Sequence, residues 1–160
     1  GRYVYLRDQE TGEHWSPTWQ PVVERELDGY ELWQKVNTTP ITGDATGTLG
    51  RNVHQGEAGF RDVYVNRVGE SAATGDAATP YPVGTIFVKN SFRPEDGAPG
   101  DLADVTVMVK REAGYDPENG DWEYIMLDAM LGVRAQGTIN NCIGCHSVAA
   151  DRDFVFASYE

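Results

Sequence analysis

The sequence predicts an α+β fold: a mainly antiparallel β-sheet with an N-terminal helix and a C-terminal helix. Four β-prone segments occupy the middle of the chain, and turn-forming residues separate them. Apolar residues at three- and four-residue spacing precede these segments, and a short motif of two cysteines and a histidine follows them.

Length and charge narrow the class of protein. A chain of 160 residues with 40% hydrophobic residues predicts a globular protein with one core. No apolar run approaches the ~20 residues of a membrane span. The formal charge of −12 argues against nucleic acid or an anionic membrane as the main partner. It predicts a solvated acidic surface, with docking of a basic redox partner as the specific alternative.

The N-terminal helix is predicted over residues 22–36. Val23, Leu27, Tyr30 and Trp33 recur at helical spacing there, and the sequence Asn-Thr-Thr-Pro ends the pattern. The loop 40–58 that follows is rich in Gly and Thr and contains His54. A loop of this length in a small domain is often functional.

Four strands are predicted from β-branched and aromatic residues bounded by turns. Their connections are a polar loop, a turn-rich segment over 93–102, and a turn over 116–121. The predicted strands cover residues 61–66, 85–90, 104–111 and 122–127. Antiparallel pairing follows from the short connections between them.

The motif Cys142-Ile143-Gly144-Cys145-His146 has the C-x-x-C-H form of a c-type haem attachment site. Each thiol can add across a haem vinyl group, and the adjacent imidazole can bind the iron. The sequence therefore predicts one covalent haem c, with His146 as the metal ligand. Such haem attachment normally takes place outside the bacterial cytoplasm, so we expect a periplasmic or exported protein.

Two other interpretations of the motif stay open. A zinc site would need a fourth ligand, which His14 or His54 could supply, although structural zinc sites usually show a second pair of ligands. A thioredoxin-like dithiol would need the cysteines in a βαβ unit.

The position of the motif and the predicted strands together exclude two familiar haem folds. Small electron-transfer cytochromes c carry the motif near the N-terminus and take a methionine ligand far downstream, whereas only 14 residues follow His146. The cytochromes c′ have a C-terminal motif, but four β-like segments do not suit a four-helix bundle.

These features together resemble the cytochrome P-460 family, which includes cytochrome c′-beta. The resemblance covers about residues 27–159. It rests on the segments YELWQKVN, FRDVYVN, YPVGTIFVK, GDW and NCIGCHSVAADRDFVF. It implies one haem against one face of the sheet, a homodimer or a subunit of a complex, and a redox partner protein. It also implies an open iron position opposite His146 for a small nitrogenous ligand or substrate.

The two branches of the family differ at one lysine. In the P-460 branch, which oxidises hydroxylamine, a lysine bonds covalently to the porphyrin edge, and Lys89 matches its position. The cytochrome c′-beta branch lacks this bond and binds nitric oxide or other diatomic molecules. Strand alternation places Thr85, Phe87 and Lys89 on one face.

Further site residues follow from the same resemblance. Phe60 and Phe87 are candidates for the wall of the open iron side, and Arg61 for a partner of a haem propionate. Thr106 stands where the family's enzymes have a distal glutamate; Asp104 or Glu112 would take that role only in another register. A sixth iron ligand could come from Met108, Met126, Met130, His14 or His54, although methionines at strand spacing are more often core residues.

Residues 2–31 resemble the N-terminal domain of cellobiose-phosphorylase-type enzymes, in the segment YLRDQETGEHWSPTWQPV. About 30 residues cannot form a phosphorylase site, so we expect no such activity. The sequence thus predicts an extension over 1–26 and a mono-haem domain over 27–160. Three functions remain open: hydroxylamine oxidation, nitric oxide binding without turnover, and electron transfer within a larger complex.

Overall fold

The fold is a single six-stranded antiparallel sheet, seen in a computed structural model that describes residues 26–42, 59–74 and 80–156. Each strand pairs with its neighbours in the chain, so the strand order in the sheet is the order in the sequence. The strands are β1 (Gln34–Lys35), β2 (Phe60–Val65), β3 (Ile86–Glu95), β4 (Ala98–Lys110), β5 (Trp122–Asp128) and β6 (Val133–Gly137).

The hairpin of β3 and β4 is the longest part of the sheet. Its turn is Asp96-Gly97, and both residues have positive φ, 50° and 79°. Asp-Gly in this conformation matches the right-handed twist of the two strands. The segment 93–102, predicted as a connection, therefore belongs largely to the strands.

The two faces of the sheet carry separate apolar cores. The back face packs the first cluster, which comprises Leu27, Tyr30, Ile86, Val88, Val105, Val107, Val109, Ile125 and Leu127. The site face packs the second, which comprises Val63, Val65, Phe87, Met108, Trp122, Tyr124, Cys142 and Val155. Because Cys142 and Val155 belong to the second cluster, the C-terminal segment lies against the site face.

Helical structure is short throughout the described residues. The two α-helices are α1 (Glu70–Thr74) and α2 (Asn140–His146). The 3₁₀ helices are Tyr30–Leu32, Pro117–Asn119 and Ser147–Arg152. None of these helices has the length and apolar character that crossing a bilayer requires.

The predicted α+β class with an N-terminal helix is wrong. Within the described part of 22–36, helical backbone is confined to 26–27 and the 3₁₀ turn Tyr30–Leu32, with left-handed Gly29 between them. Leu27 and Tyr30 are buried at the predicted spacing of three. A 3₁₀ turn also repeats every three residues, so the pattern indicated the buried positions but not the helix.

The four predicted strands are present, and two edge strands were missed. β1 has two residues, and β6 is largely exposed at the sheet margin. Both are short edge strands whose apolar pattern is weak, so pairing with β2 and β5 defines them instead.

Candidate functional site

The imidazole of His146 is oriented by a backbone carbonyl. His146 ends α2, and its Nδ1 lies 2.7 Å from the carbonyl oxygen of Phe154. Since a carbonyl only accepts, Nδ1 carries the proton and Nε2 keeps its lone pair. Burial lowers the pKa of His146 to about 4, so the ring is neutral near pH 7. This is the tautomer and charge state of a histidine that binds a metal through Nε2.

The two thiols lie on the same short helix as this imidazole. Cys142 is buried against the site face, and Cys145 is partly buried. Burial raises the pKa of Cys142 to about 11, although the positive charge of Lys89 opposes that shift. Helix α2 begins at Asn140 without a side-chain cap.

Lys89 extends from the middle of β3 onto the site face. It stands opposite Val63 of β2 and Thr106 of β4, and directly paired residues place their side chains on the same face. Burial lowers the pKa of Lys89 to about 8; Asp104 opposes this shift and Arg61 adds to it. The Lys89 charge also lowers the pKa of His146. The sheet thus brings the predicted lysine close to the motif helix.

A polar row crosses the site face next to Lys89. Arg61 pairs with Ser91, and Ser91 pairs with Asp104. Ser91 Oγ and Asp104 Oδ1 are both buried without a hydrogen-bond partner among the described residues. Arg61 is only 6% exposed and carries a full charge into this row. The row offers both cationic donors and acceptor oxygens to a bound group.

An aromatic cluster covers the rest of the site face. The ring of Phe87 lies 5.3 Å from that of Tyr81 and 6.2 Å from that of Trp122, centre to centre. The ring of Tyr124 lies 5.4 Å from that of His146, centre to centre. Burial raises the pKa of Tyr124. Phe87 therefore occupies the predicted face, although packed among rings from other elements.

Sequence reasoning missed Tyr124 and Asp153 as parts of the site. Tyr124 alternates with buried residues of β5 and so resembled a core residue. Asp153 follows the motif by seven residues without any recognisable pattern. Its signal is the local conformation, since Asp153 and Phe154 both have positive φ, 52° and 66°. Such backbone is uncommon outside glycine and marks a segment held by its surroundings.

The other predicted residues divide among the back face, the surface and the site-face core. Phe60 alternates with Arg61 on β2 and therefore belongs to the back face. Glu112 is exposed beyond the end of β4. Met108 and Met126 pack in the site-face core, whereas Met130 is 93% exposed in a loop.

His14 and His54 lie outside the described residues. Within residues 26–42, 59–74 and 80–156, no group of three or more His, Cys, Asp or Glu side chains could hold a metal ion. The zinc interpretation therefore finds no support in this part of the chain. The two-cysteine helix also follows an antiparallel sheet rather than a βαβ unit, which disfavours the dithiol interpretation.

The residues of the site face fit a haem. The motif helix supplies two thiols, and His146 supplies a nitrogen whose lone pair is uncommitted. Four buried side-chain oxygens lack a partner among the described residues, and Ser91, Asp104 and Tyr124 account for three of them on this face. A large apolar group with polar substituents would satisfy both the apolar wall and these oxygens.

Comparison with known families identifies the class. The model of the Cytochrome P460 family matches residues 27–157, which is most of the chain and includes every site residue named above. The chain belongs to the Cytochrome P460 family. This result confirms the resemblance inferred from the sequence, and it implies that the protein binds haem.

A second match concerns the N-terminal part. The supersandwich domain of glycosyl hydrolase family 94 matches residues 1–47. The chain is 48% identical over 42 residues to solabiose phosphorylase from Paenibacillus borealis, which is 26% of this chain and 5% of that enzyme. It is 40% identical over 50 residues to N,N'-diacetylchitobiose phosphorylase from Vibrio furnissii, which is 31% of this chain and 6% of that enzyme. The chain spans less than a tenth of these enzymes.

Proposed function

We propose that this protein is an exported mono-haem c-type cytochrome that oxidises hydroxylamine. Cys142 and Cys145 hold the haem through thioethers, and His146 binds its iron. One observation carries the proposal: the motif helix and the Lys89 side of the sheet share one buried site, in which both thiols act on the pKa of Lys89 and Lys89 lowers the pKa of Cys142. Family membership supplies the chemical context.

The covalent bonds have different requirements. Addition of each S–H across a vinyl C=C bond needs no oxidant or reductant. Bonding of Lys89 Nζ to a porphyrin edge carbon replaces one N–H and one C–H bond. It releases two protons and two electrons, which a two-electron oxidant such as a peroxide must accept. A neutral amine is the nucleophile, and a pKa of about 8 leaves a usable neutral fraction near pH 7.

A haem held by these residues would supply a redox-active iron that can accept electrons from a small nitrogen compound and release them to an external acceptor. Hydroxylamine loses protons in the same number as electrons, and side chains of the protein have to accept these protons. Thr106, directly opposite Lys89, has a hydroxyl that does not ionise near neutral pH. We assign proton uptake to Asp104, whose Oδ1 is buried without a described partner one pair further along the same face.

Nitric oxide binding without turnover is the second candidate. Thr106 favours it, because a threonine replaces the family's distal carboxylate beside Lys89. In that case Phe87 and the rings around it would enclose a small diatomic ligand, and Asp104 would only pair with the cations of the polar row.

Mapping of the haem peptide tests the covalent part. Mass spectrometry of peptic fragments is expected to show haem joined to the motif peptide and to the Lys89 peptide. Haem joined to Cys142 and Cys145 alone would remove the lysine bond and favour gas binding. A low-spin absorption spectrum would contradict the open iron position and favour electron transfer.

Hydroxylamine turnover tests the activity. Asp104→Asn is expected to lower kcat by roughly 100-fold, the usual contribution of a general base. Lys89→Ala is expected to abolish the cross-link and lower turnover. Lys35→Ala is the matched control, because Lys35 pairs with Asp62 away from the site face. No turnover in the wild-type protein, together with tight nitric oxide binding, would establish the second candidate.

A further inference from the structure

The segment after the motif is bent by two consecutive left-handed residues. Asp153 has φ 52° and ψ 40°, and Phe154 has φ 66°. Such a conformation is unfavourable for a residue other than glycine and persists only where its surroundings determine it. The Phe154 carbonyl comes directly after this bend, and it accepts a hydrogen bond from His146 Nδ1–H at 2.7 Å.

Three separate parts of the chain hold this bend. Lys110, at the end of β4, places Nζ 2.7 Å and 2.6 Å from the two carboxylate oxygens of Asp153. The Tyr81 N–H donates to the same carboxylate at 2.7 Å. The Trp122 indole N–H donates to the Asp153 carbonyl at 2.7 Å, and the Lys110 ammonium lies 5.0 Å from the centre of that indole.

Stability alone does not explain a pair of charges buried in this way. Both side chains are only 8% exposed, and the cost of removing such charges from water often cancels their attraction. Instead, these contacts all meet at Asp153, and the carbonyl of the next residue, Phe154, orients His146. Outer partners of this kind set the ring orientation and the basicity of a ligating histidine.

We propose that Lys110 and Asp153 are positioning residues for the proximal ligand. The pair fixes the Phe154 carbonyl, which keeps His146 in its Nδ1–H tautomer and makes Nε2 a stronger electron donor. This inference rests on the proposed function in one respect, namely that Nε2 binds iron. A stronger donor favours ferric over ferrous iron, so the pair keeps the reduction potential low.

The test replaces the pair in the haem-loaded full-length protein. Lys110→Met with Asp153→Asn removes both charges and leaves no uncompensated ion, and asparagine tolerates the left-handed conformation. We expect the haem to remain attached and the ferric–ferrous equilibrium to shift toward ferrous by roughly tenfold, which is about 59 mV for one electron. The iron–histidine stretching frequency of the ferrous protein should fall as well.

Two further variants keep the test decisive. Lys110→Arg retains the charge and should stay close to wild type in both measurements. Lys35→Met with Asp62→Asn removes a Lys–Asp pair with a Nζ–Oδ1 distance of 2.7 Å elsewhere and should change neither. If the double variant does not fold, Lys110→Gln with Asp153→Asn, which keeps a polar side chain at both positions and leaves no buried charge, is measured in the same way. Lower stability with an unchanged potential and an unchanged iron–histidine frequency would overturn the proposal.

Failure of the proposed function has a different signature. If the wild-type protein carries no haem, the function is wrong, and the positioning role is then decided on the haem-free chain. The ¹⁵N shifts of His146 should show the Nδ1–H tautomer in the wild type and a mixture of tautomers in the double variant. Equal tautomer populations in both proteins would overturn the positioning role.

Discussion

The chemistry of the site depends on single protons at a few buried atoms. His146 donates through Nδ1 and so keeps Nε2 for a ligand. Lys89 carries an amine whose pKa burial lowers to about 8. The first effect follows from the Phe154 carbonyl, which accepts the His146 Nδ1–H. The second follows from burial, which disfavours the charged form of the amine.

The lysine makes a pH-dependent prediction for the haem-free chain. The pKa of Lys89 is about 8 when folded and 10.5 when exposed. Between these values the unfolded chain binds more protons, so this residue makes stability rise with pH. The penalty for burying the charge is complete below pH 8. Lys89→Met should therefore stabilise the chain most near pH 7, and the gain should shrink toward pH 10.

Urea unfolding of both proteins at several pH values measures this difference. Lys35→Met corrects for the loss of one positive charge, because the Lys35 side chain is 34% exposed. A gain for Lys89→Met that stays constant over this pH range would show that Lys89 is not buried as a charge.

A second residue-scale prediction concerns a buried hydroxyl. Thr85 is 0% exposed, and its Oγ1 has no hydrogen-bond partner among the described residues. Thr85→Val replaces the hydroxyl by a methyl group of similar size and should raise the free energy of unfolding by about 1 kcal/mol. Thr85→Ser keeps the hydroxyl and loses a methyl group, so it should lower it by about 1 kcal/mol. A loss of stability in the valine variant would mean that the hydroxyl is satisfied.

At the scale of elements, the turn before β5 holds the C-terminal segment in place. Gly120 has φ +70°, and a Cβ there would lie 2.7 Å from Phe154 Cδ2 and 2.9 Å from Asp153 Oδ1. The turn thus lies directly against the two left-handed residues. This close approach explains why glycine is required between the 3₁₀ helix Pro117–Asn119 and β5.

Gly120→Ala should destabilise the protein beyond the cost of its backbone conformation. Gly29 is the matched control, because its φ is +68° and nothing lies within 4 Å of a Cβ there. Gly29→Ala should cost about 1 kcal/mol for the left-handed conformation. Gly120→Ala should cost at least about 1 kcal/mol more, because the aromatic ring must move. Thermal unfolding of both variants measures the difference, and equal losses would show that the Phe154 contact yields freely.

At the scale of the whole molecule, the two faces of the sheet differ: the back face forms a structural core, and the other face carries the site. The back-face core contains no residue of the motif helix, whereas the site-face core contains Cys142 and Val155. The chain as a whole carries a strong negative charge, with 25 acidic against 13 basic side chains. Charge of one sign steers oppositely charged partners from a distance and is screened by salt.

The net charge predicts how electron transfer responds to salt. Reduction of a basic acceptor protein should slow several-fold when ionic strength rises from about 0.01 M to about 0.15 M, since the screening length falls from about 30 Å to about 8 Å. An acidic acceptor should show the opposite trend or none. Stopped-flow rates at several salt concentrations measure this effect, and a salt-independent rate with the basic acceptor would contradict it.

The sequence by itself determined the family and the four central strands. The motif contains two thiols and an imidazole within five consecutive residues, and the strands follow from local apolar patterns. The sequence was less informative where strand pairing, rather than local pattern, defines an element, and so the short edge strands β1 and β6 were missed. A spacing of three residues predicted an α-helix where the structure has a 3₁₀ turn. Phe60 shows the same limit, because its strand was predicted while its face lies away from the site.

Only the tertiary structure decided how the site is held together. Lys110 and Asp153 are 43 residues apart, and Trp122 and Asp153 are 31 residues apart. No local pattern brings such residues together, because their contacts depend on how the C-terminal segment packs against strands that are distant from it in the sequence. The orientation of His146 depends on this packing. Burial, rather than residue type alone, lowers the pKa of Lys89.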